Sequence, residues 1–377
     1  MRKLKGGSIR RLQRCGNLVR FGLSIALTVV AATSHAADWD AGGGERWQAL
    51  VAKAKQEGPV VVAGCPAQGS ELAASYKRDT GLEANFLAGQ TAQLESRFRL
   101  EMQAGRLTID FRFGSPAELD FAKAGLLIDL NEALVLPDVT TMAHWSGQRL
   151  VWADNTKRYL LIATQYVSGL SLINTALVDP ARIETLDDLL RPEFKGKIAF
   201  YDPVPAGAGQ TAAAYLADVK GIEFVKTLFA SQDIAVSRDA RQVTEWVARG
   251  LYAIAFGSDV GELQNFRRQG VSILQLHAFR GAPGTLVGGC SVIGIPKAAP
   301  RSAAATVFLN WYLSRAGQEA YVQAAQQPSR RVDVAAKGIP AEVIPVAGVD
   351  YLDQYREDWY LNVRPRLQAE LRRALDK

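Results

Sequence analysis

From Trp47 onward the chain switches repeatedly between two hydrophobic periods. Trp47 to Gln56 carries apolar residues at helical spacing and ends at Gly58-Pro59. Val60 to Ala63 is an unbroken apolar run, the mark of a buried strand. Ser70 to Thr80 is again helical and stops at Gly81, and Glu83 to Leu87 is a second strand. Thr91 to Ala104 sets Leu94, Phe98 and Met102 on one face and stops at Gly105. Ile109 to Phe113 is a third strand, and Pro116 opens the next helix. Strands and helices alternating at this spacing predict a parallel sheet with right-handed crossovers. The pattern pauses from Leu134 to Tyr159, and Leu160 to Asn174 resumes with strand-like residues.

A second series follows. Leu186, Leu189 and Leu190 recur at helical spacing and Pro192 stops them, predicting a short acidic helix. Strands are predicted at Lys197 to Phe200, Ile234 to Val236, Tyr252 to Phe256 and Ile273 to Leu276. Helices are predicted between them, including Gln242 to Arg249 and Val260 to Gln269. One more strand is read in 286–296, then a long helix after Pro300 with Val307, Phe308, Trp311 and Tyr312. Near the end, Tyr351, Tyr355 and Trp359 are expected on one helical stripe of a packing segment. LNVRPRLQAELRRALD reads as a closing amphipathic helix docked on the body.

The N-terminus carries seven bases before residue 21 and no acid, then an apolar run from Phe21 to Ala32. That run is too short to span a bilayer. Ser34-His35-Ala36 offers small residues where a signal peptidase reads, so 1–36 is expected to be a removed secretory signal. Arg10-Arg11 suggests the twin-arginine route, but the following Leu-Gln-Arg fits that motif poorly. Cleavage changes the charge. The chain holds 44 Lys+Arg against 38 Asp+Glu, and losing those seven bases leaves a net of −1. The basic balance is therefore a targeting feature and gives nucleic-acid binding no support. At 48% hydrophobic and 22% charged residues the remainder is an ordinary globular chain, long enough for two lobes.

LDDLLRPEFKGKIAFYDP at 186–203 resembles the second lobe of bacterial periplasmic solute-binding proteins of ABC importers, in the subgroup that includes the ferric-ion-binding proteins. WQALVAKAKQEGPVVV, FLNWYLSRAGQEAY at 308–321 and PSRRVDV at 328–334 extend the resemblance over nearly the whole mature chain. It implies an α/β, two-lobed type 2 periplasmic binding protein fold, each lobe a mainly parallel sheet flanked by helices, joined by a two-segment hinge. Lobe 1 would be 37–160 with 281–335, lobe 2 would be 161–280, and 336–377 a C-terminal packing segment and helix. Crossings are expected near 159–165 and 281–289. The implied partners are a small-molecule ligand and an ABC permease with its ATPase, for a monomer in the periplasm without a cofactor.

Ligands of open α/β sheets sit at strand ends, where free backbone N–H groups of helix N-termini attract oxygen-rich groups. The candidate contacts are Gln68, Ser70, Gln90, Thr91 and Ser115 in lobe 1, and Asp202, Gly209, Gln210, Arg238, Asp259 and Arg280 in lobe 2. Ser, Thr and Asp at helix starts are also N-caps, which is the plainer reading of each. Arg238 and Arg280 lean the ligand toward a small organic anion: a carboxylate, phosphonate or phosphorylated compound. Asp202 and Asp259 leave room for an amino group.

The tyrosine pair of ferric-binding relatives would fall near Val260 and Gly261, which argues against that iron site. A ferric chelate stays open, and no Cys/His cluster has metal spacing. His144 and His277 are the only mature histidines, and neither stands in a triad or nucleophile-elbow context. A solute receptor is therefore preferred to an extracytoplasmic enzyme or sensor. Cys65 and Cys290, the mature cysteines, are expected as free thiols. In the resembled fold a third strand separates theirs, and strands ~4.8 Å apart leave them beyond the ~7 Å a disulfide spans.

Overall fold

The two largest hydrophobic cores among the described residues lie one on each of two large sheets, and a smaller cluster covers each sheet as well. The computed structural model describes residues 39–64, 69–89, 91–205, 207–258, 260–289 and 291–375, and says nothing of the side chains of 91, 92, 260, 261 and 264. The expected signal segment and both mature cysteines lie outside these residues. Among the described residues no helix is long and apolar enough to cross a membrane.

The first sheet begins as read. Helix α1 (Gly44–Glu57) buries Trp47 and Ala54 and ends at Gly58, whose φ of 81° suits glycine. Then come β1 (Val60–Gly64), α2 (Gly69–Thr80), β2 (Ala84–Ala88), α3 (Thr91–Gln103) and β3 (Phe111–Gly114). β1 pairs in parallel with β2 from Val60↔Ala84 to Gly64↔Ala88, and with β3 at Val62↔Phe111. The short helices α4 (Leu119–Lys123) and α5 (Leu130–Ala133) precede the stretch where the pattern pauses, and α6 (Pro137–Thr140) lies within it. A two-residue pairing of β4 (Val151–Trp152) with β5 (Leu161–Ile162) follows, too short to leave a periodic signal.

The sheet is completed from far along the chain. β13 (Val292–Gly294) inserts antiparallel between β3 and β5, giving the order β2-β1-β3-β13-β5-β4. Helix α11 (Ser302–Leu313) is apolar all round and buried along almost its whole length. Phe308 lies at its centre, with ring centroids 4.9 Å from Phe111 and 5.1 Å from Tyr76. Helix α12 (Arg315–Ala325) follows, capped by Ser314, whose Oγ accepts from Gly317 N.

The second sheet runs β11-β7-β10-β8-β9. Its strands are β7 (Ser171–Asn174), β8 (Ile198–Tyr201), β9 (Ala235–Ser237), β10 (Ile254–Phe256) and β11 (Ile273–Leu276). β8, β9 and β10 are parallel, while β7 is antiparallel to both neighbours. Helices α7 (Ala208–Lys220), α8 (Ile222–Ser231), α9 (Ala240–Ala248) and α10 (Val260–Arg268) flank it. The expected acidic α-helix is instead a five-residue 3-10 turn, Leu186–Leu190, with a capping box between Thr185 and Asp188. Pro192 leaves too little chain there for an α-helical turn to repeat.

A third, small sheet joins the two. β6 (Tyr166–Ser168) and β12 (Gly284–Val287) pair antiparallel, and β14 (Tyr351–Asp353) adds to β12 in parallel. The C-terminal segment therefore crosses as well, beyond the two crossings read from the sequence. This corrects the expected helical stripe. Tyr351 is in a strand, Tyr355 follows a turn closed by Asp353 Oδ1 accepting from Tyr355 N, and Trp359 opens a π-helical turn. Helix α13 (Arg364–Leu375) then buries Leu367 and Leu371 in the second core with Phe224 and Leu228.

Candidate ligand cavity

A cavity of about 620 Å³ opens along β6, between the joining sheet, one face of α7 and the end of α12. That volume suits a metabolite-sized solute. Residues 208, 211, 212 and 215 of α7 fall on one helical face and form a wall. Tyr215 donates to the Pro283 carbonyl at 2.8 Å, which fixes that wall against the crossing strand. Gly257 and Ser258, at the end of β10, form a corner. Tyr166 lines the cavity from β6 itself, Thr285 and Val287 from β12, and Gln354 and Tyr355 from beyond β14.

The charge of the lining is one-sided. Its charged side chains among the described residues are Arg267 and Arg268, from the last turn of α10. His277 also lines it, 9% exposed, with Nδ1 against the Val167 carbonyl at 3.2 Å. Burial pushes the His277 pKa down, which keeps the imidazole neutral. Glu342 lies close enough to oppose that shift but is not part of the lining. Burial raises the Tyr166 phenol to about 12 and pushes Tyr355 and Tyr215 upward too. One donor is left over: Gln354 is 5% exposed, yet its Nε2 has no hydrogen-bond partner.

The residues singled out from the sequence fall elsewhere or outside the described set. Gln68, Gln90 and Asp259 lie outside it, as does the side chain of Thr91. Ser70 is exposed on α2. Ser115 is an N-cap: its Oγ accepts from Ala117 N at 3.1 Å and donates to Glu95 at 2.8 Å. Asp202 accepts from Val204 N at 3.0 Å and pairs with Arg238 at 3.3 Å. Both border a second pocket, with Arg372 of α13, rather than the larger cavity. Arg280 pairs with Glu184 at 2.8 Å and is largely exposed. Gly209 and Gln210 sit on the buried side of α7, and both amide atoms of Gln210 lack partners. Sequence reasoning thus found the helix corners but missed Arg267, Arg268, Tyr166 and Gln354. A basic pair closing α10 was the one legible signal, and it reads equally as a solvated C-terminal turn.

Away from the cavity, Asp138, His144 and Asp333 each bring a ligand atom within 4.8 Å of the others. Buried Arg331 bonds both carboxylates, at 2.8 and 2.7 Å, so a guanidinium already neutralises that cluster. It pins the PSRRVDV segment to α6.

Two-lobed α/β architecture with a cavity at the joining sheet is the form of a solute receptor. Residues 71–343 match the family described as bacterial extracellular solute-binding protein, and the chain belongs to that family. No characterised protein in a curated set matches its sequence. Among solved structures, it is similar to iron-bound HitA from Pseudomonas aeruginosa, at 19% identity and a TM-score of 0.60 over 84% of this chain and 99% of that one. It is similar to the spermidine/putrescine substrate-binding protein PotD from Streptococcus pneumoniae, at 15% identity and 0.59 over 83% and 91%. AfuA from Actinobacillus pleuropneumoniae, bound to fructose-6-phosphate, gives 16% and 0.59 over 85% and 99%. These likenesses describe the two-lobed fold. The chain is a solute-binding protein of the kind that serves ABC transporters, and its neighbours carry ligands of quite different chemistry.

Proposed function

We propose that the protein is a periplasmic receptor that holds a small organic anion in the cavity along β6 and delivers it to an ABC permease. The observation that carries this is the one-sided lining: Arg267 and Arg268 supply the charge, and no carboxylate lines the cavity among the described residues. A polyamine would need acids there. A bare ferric ion would gather anionic oxygen donors, whereas the charged side chains of the lining among the described residues are two arginines. The binding reading is preferred to a catalytic one because His277 and His144 hydrogen-bond to the Val167 and Asp138 carbonyls, and among the described residues neither is paired with a serine, threonine or cysteine side chain that could serve as a nucleophile.

The lobes proposed are 37–160 with 281–335, and 161–280, with 336–377 as a C-terminal packing segment. Membership of β13 in the first sheet and of β7 to β11 in the second supports that division. Saturating anion should then close the lobes and reduce the radius of gyration in small-angle scattering; an unchanged radius at saturation counts against closure.

Arg267→Ala tests the site directly. A charge-assisted hydrogen bond contributes ~1.5–3 kcal/mol, so affinity for an anionic solute should drop about ten- to a hundredfold. Calorimetric titration reads this. Parent-like affinity in the variant would remove Arg267, and with it this cavity, from the anion site.

A further inference from the structure

Residues 351–363 touch both crossings and then each of the two large sheets in turn. β14 pairs with β12, Asp353 Oδ2 accepts from Gln165 Nε2 at 3.0 Å, and Tyr355 donates to the Gly289 carbonyl at 2.9 Å. Gln165 stands on the outgoing crossing and Gly289 on the returning one. Next, Glu357 N donates to the Ala153 carbonyl at 2.9 Å, and the Glu357 carboxylate accepts from Asn155 N at 2.7 Å and pairs with Lys123 at 3.1 Å. Asp358 accepts from Asn155 Nδ2 at 3.0 Å. These partners lie on the side of the first sheet, in α4 and just after β4.

Trp359 goes to the other side. Its Nε1 donates to Asp218 of α7 at 3.0 Å, and it is buried in the second core. Tyr360 and Leu361 pack back against the first sheet's cluster of Phe98 and Phe121, and Val363 against the second core. One turn is thus wedged between the two bodies. Glu357 and Trp359 are two residues apart, so their Cα atoms can be separated by about 7 Å at most. The loop after β4 cannot draw away from α7 beyond that slack unless one grip breaks. The grips are unequal. On the second side Trp359, Leu367 and Leu371 are all buried, which is strong apolar anchoring. On the first side the grip is hydrogen bonds, two half-buried side chains and an ion pair whose lysine is 57% exposed, and exposed pairs are weak.

We infer that residues 353–363 are a strap that limits how far the two bodies part, anchored on the second core and releasable from the loop after β4. Tyr355 of the same strap lines the cavity, so parting the bodies and altering the cavity wall are one event. The inference goes beyond the receptor reading and does not depend on which solute the cavity holds.

Small-angle scattering of the mature protein without solute, beside urea unfolding, tests this. Asp358 is exposed and Glu357 half-buried, so Glu357→Ala with Asp358→Ala leaves both cores intact. That double variant should raise the radius of gyration by roughly 1 Å over the about 20 Å of a compact chain of this length, and adding Tyr360→Ala should raise it further. Leu371→Ala is the control. It deletes apolar contacts in the second core, so it should lower the urea midpoint and leave the radius at the parent's value. Folded double and triple variants with the parent's radius would overturn the strap and leave the segment as packing alone. Equal expansion in Leu371→Ala would overturn it too, because the radius would then report loosened packing rather than a released grip.

Discussion

Replacing Arg112 alone by Met is expected to lower folding stability by about 3–5 kcal/mol. Arg112 lies in the middle of β3, 1% exposed, and pairs with fully buried Glu118 through Nε at 2.6 Å and Nη2 at 2.5 Å. Its guanidinium also lies over the Phe98 ring at 4.5 Å and donates to the Leu94 carbonyl at 3.3 Å. Burial pushes the Glu118 carboxyl up, and Arg112 draws it back down. Without Arg112 the carboxylate has no counter-charge, and its Oε2 is already unpartnered. The cost therefore comes from an abandoned charge rather than from a lost attraction. The double replacement Arg112→Met with Glu118→Leu should recover most of the loss, because apolar side chains of similar volume often replace a buried pair without penalty. Methionine keeps a favourable contact with Phe98. Urea unfolding midpoints of the mature protein decide this. A single variant as stable as the parent, or a double variant as weak as the single, would show the pair does not act this way.

That pair also explains a corner that looked like a ligand site. A Cβ on Gly114 would sit 1.9 Å from Glu118 Oε1, so the glycine of Gly114-Ser115-Pro116 makes room for a buried carboxylate. Ser115 caps the turn that carries Glu118. From sequence, a glycine and a serine at a strand end look the same whether they face a ligand or a buried acid.

The order of elements was legible because α1, β1, α2, β2 and α11 each bury enough apolar side chain to impose a period on the sequence. β3, β9 and β10 were displaced by only a residue or two, a difference set by where ladder bonds end rather than by pattern. β4 and β14 escaped because two or three residues cannot establish an alternation, and for the same reason β5, β6 and β7 were read only as one strand-like stretch from Leu160 to Asn174. Much of their pairing is also distant in sequence: β6 with β12 and β5 with β13 lie more than a hundred residues apart. The cavity was illegible for the same reason. Arg267, Tyr166 and Gln354 line one cavity from α10, β6 and the turn after β14, and nothing near any of them in sequence marks the others.

Gly209→Ala is expected to lower stability by ~1–3 kcal/mol and to reduce affinity for the bound anion at least tenfold. A Cβ at Gly209 would sit 2.0 Å from the Tyr201 carbonyl oxygen and 2.6 Å from that of Asp202. Both obstacles are backbone, so neither can swing aside as a side chain could. Gly257 completes the close approach: a Cβ there would lie 2.8 Å from the Gly209 Cα. The ends of β8 and β10 and the first turn of α7 thus meet through two glycines. Any relief must shift the start of α7, and Ala208, Thr211, Ala212 and Tyr215 move with it. Those four form the cavity wall, so a packing defect on the buried side of the helix is felt as lost binding on the other. The urea midpoint without solute and a calorimetric titration with an anionic solute separate the causes. A variant with the parent's stability but weakened binding would return Gly209 to a direct ligand contact. One unchanged in both would mean that the helix start yields freely and that the wall is not set by this contact.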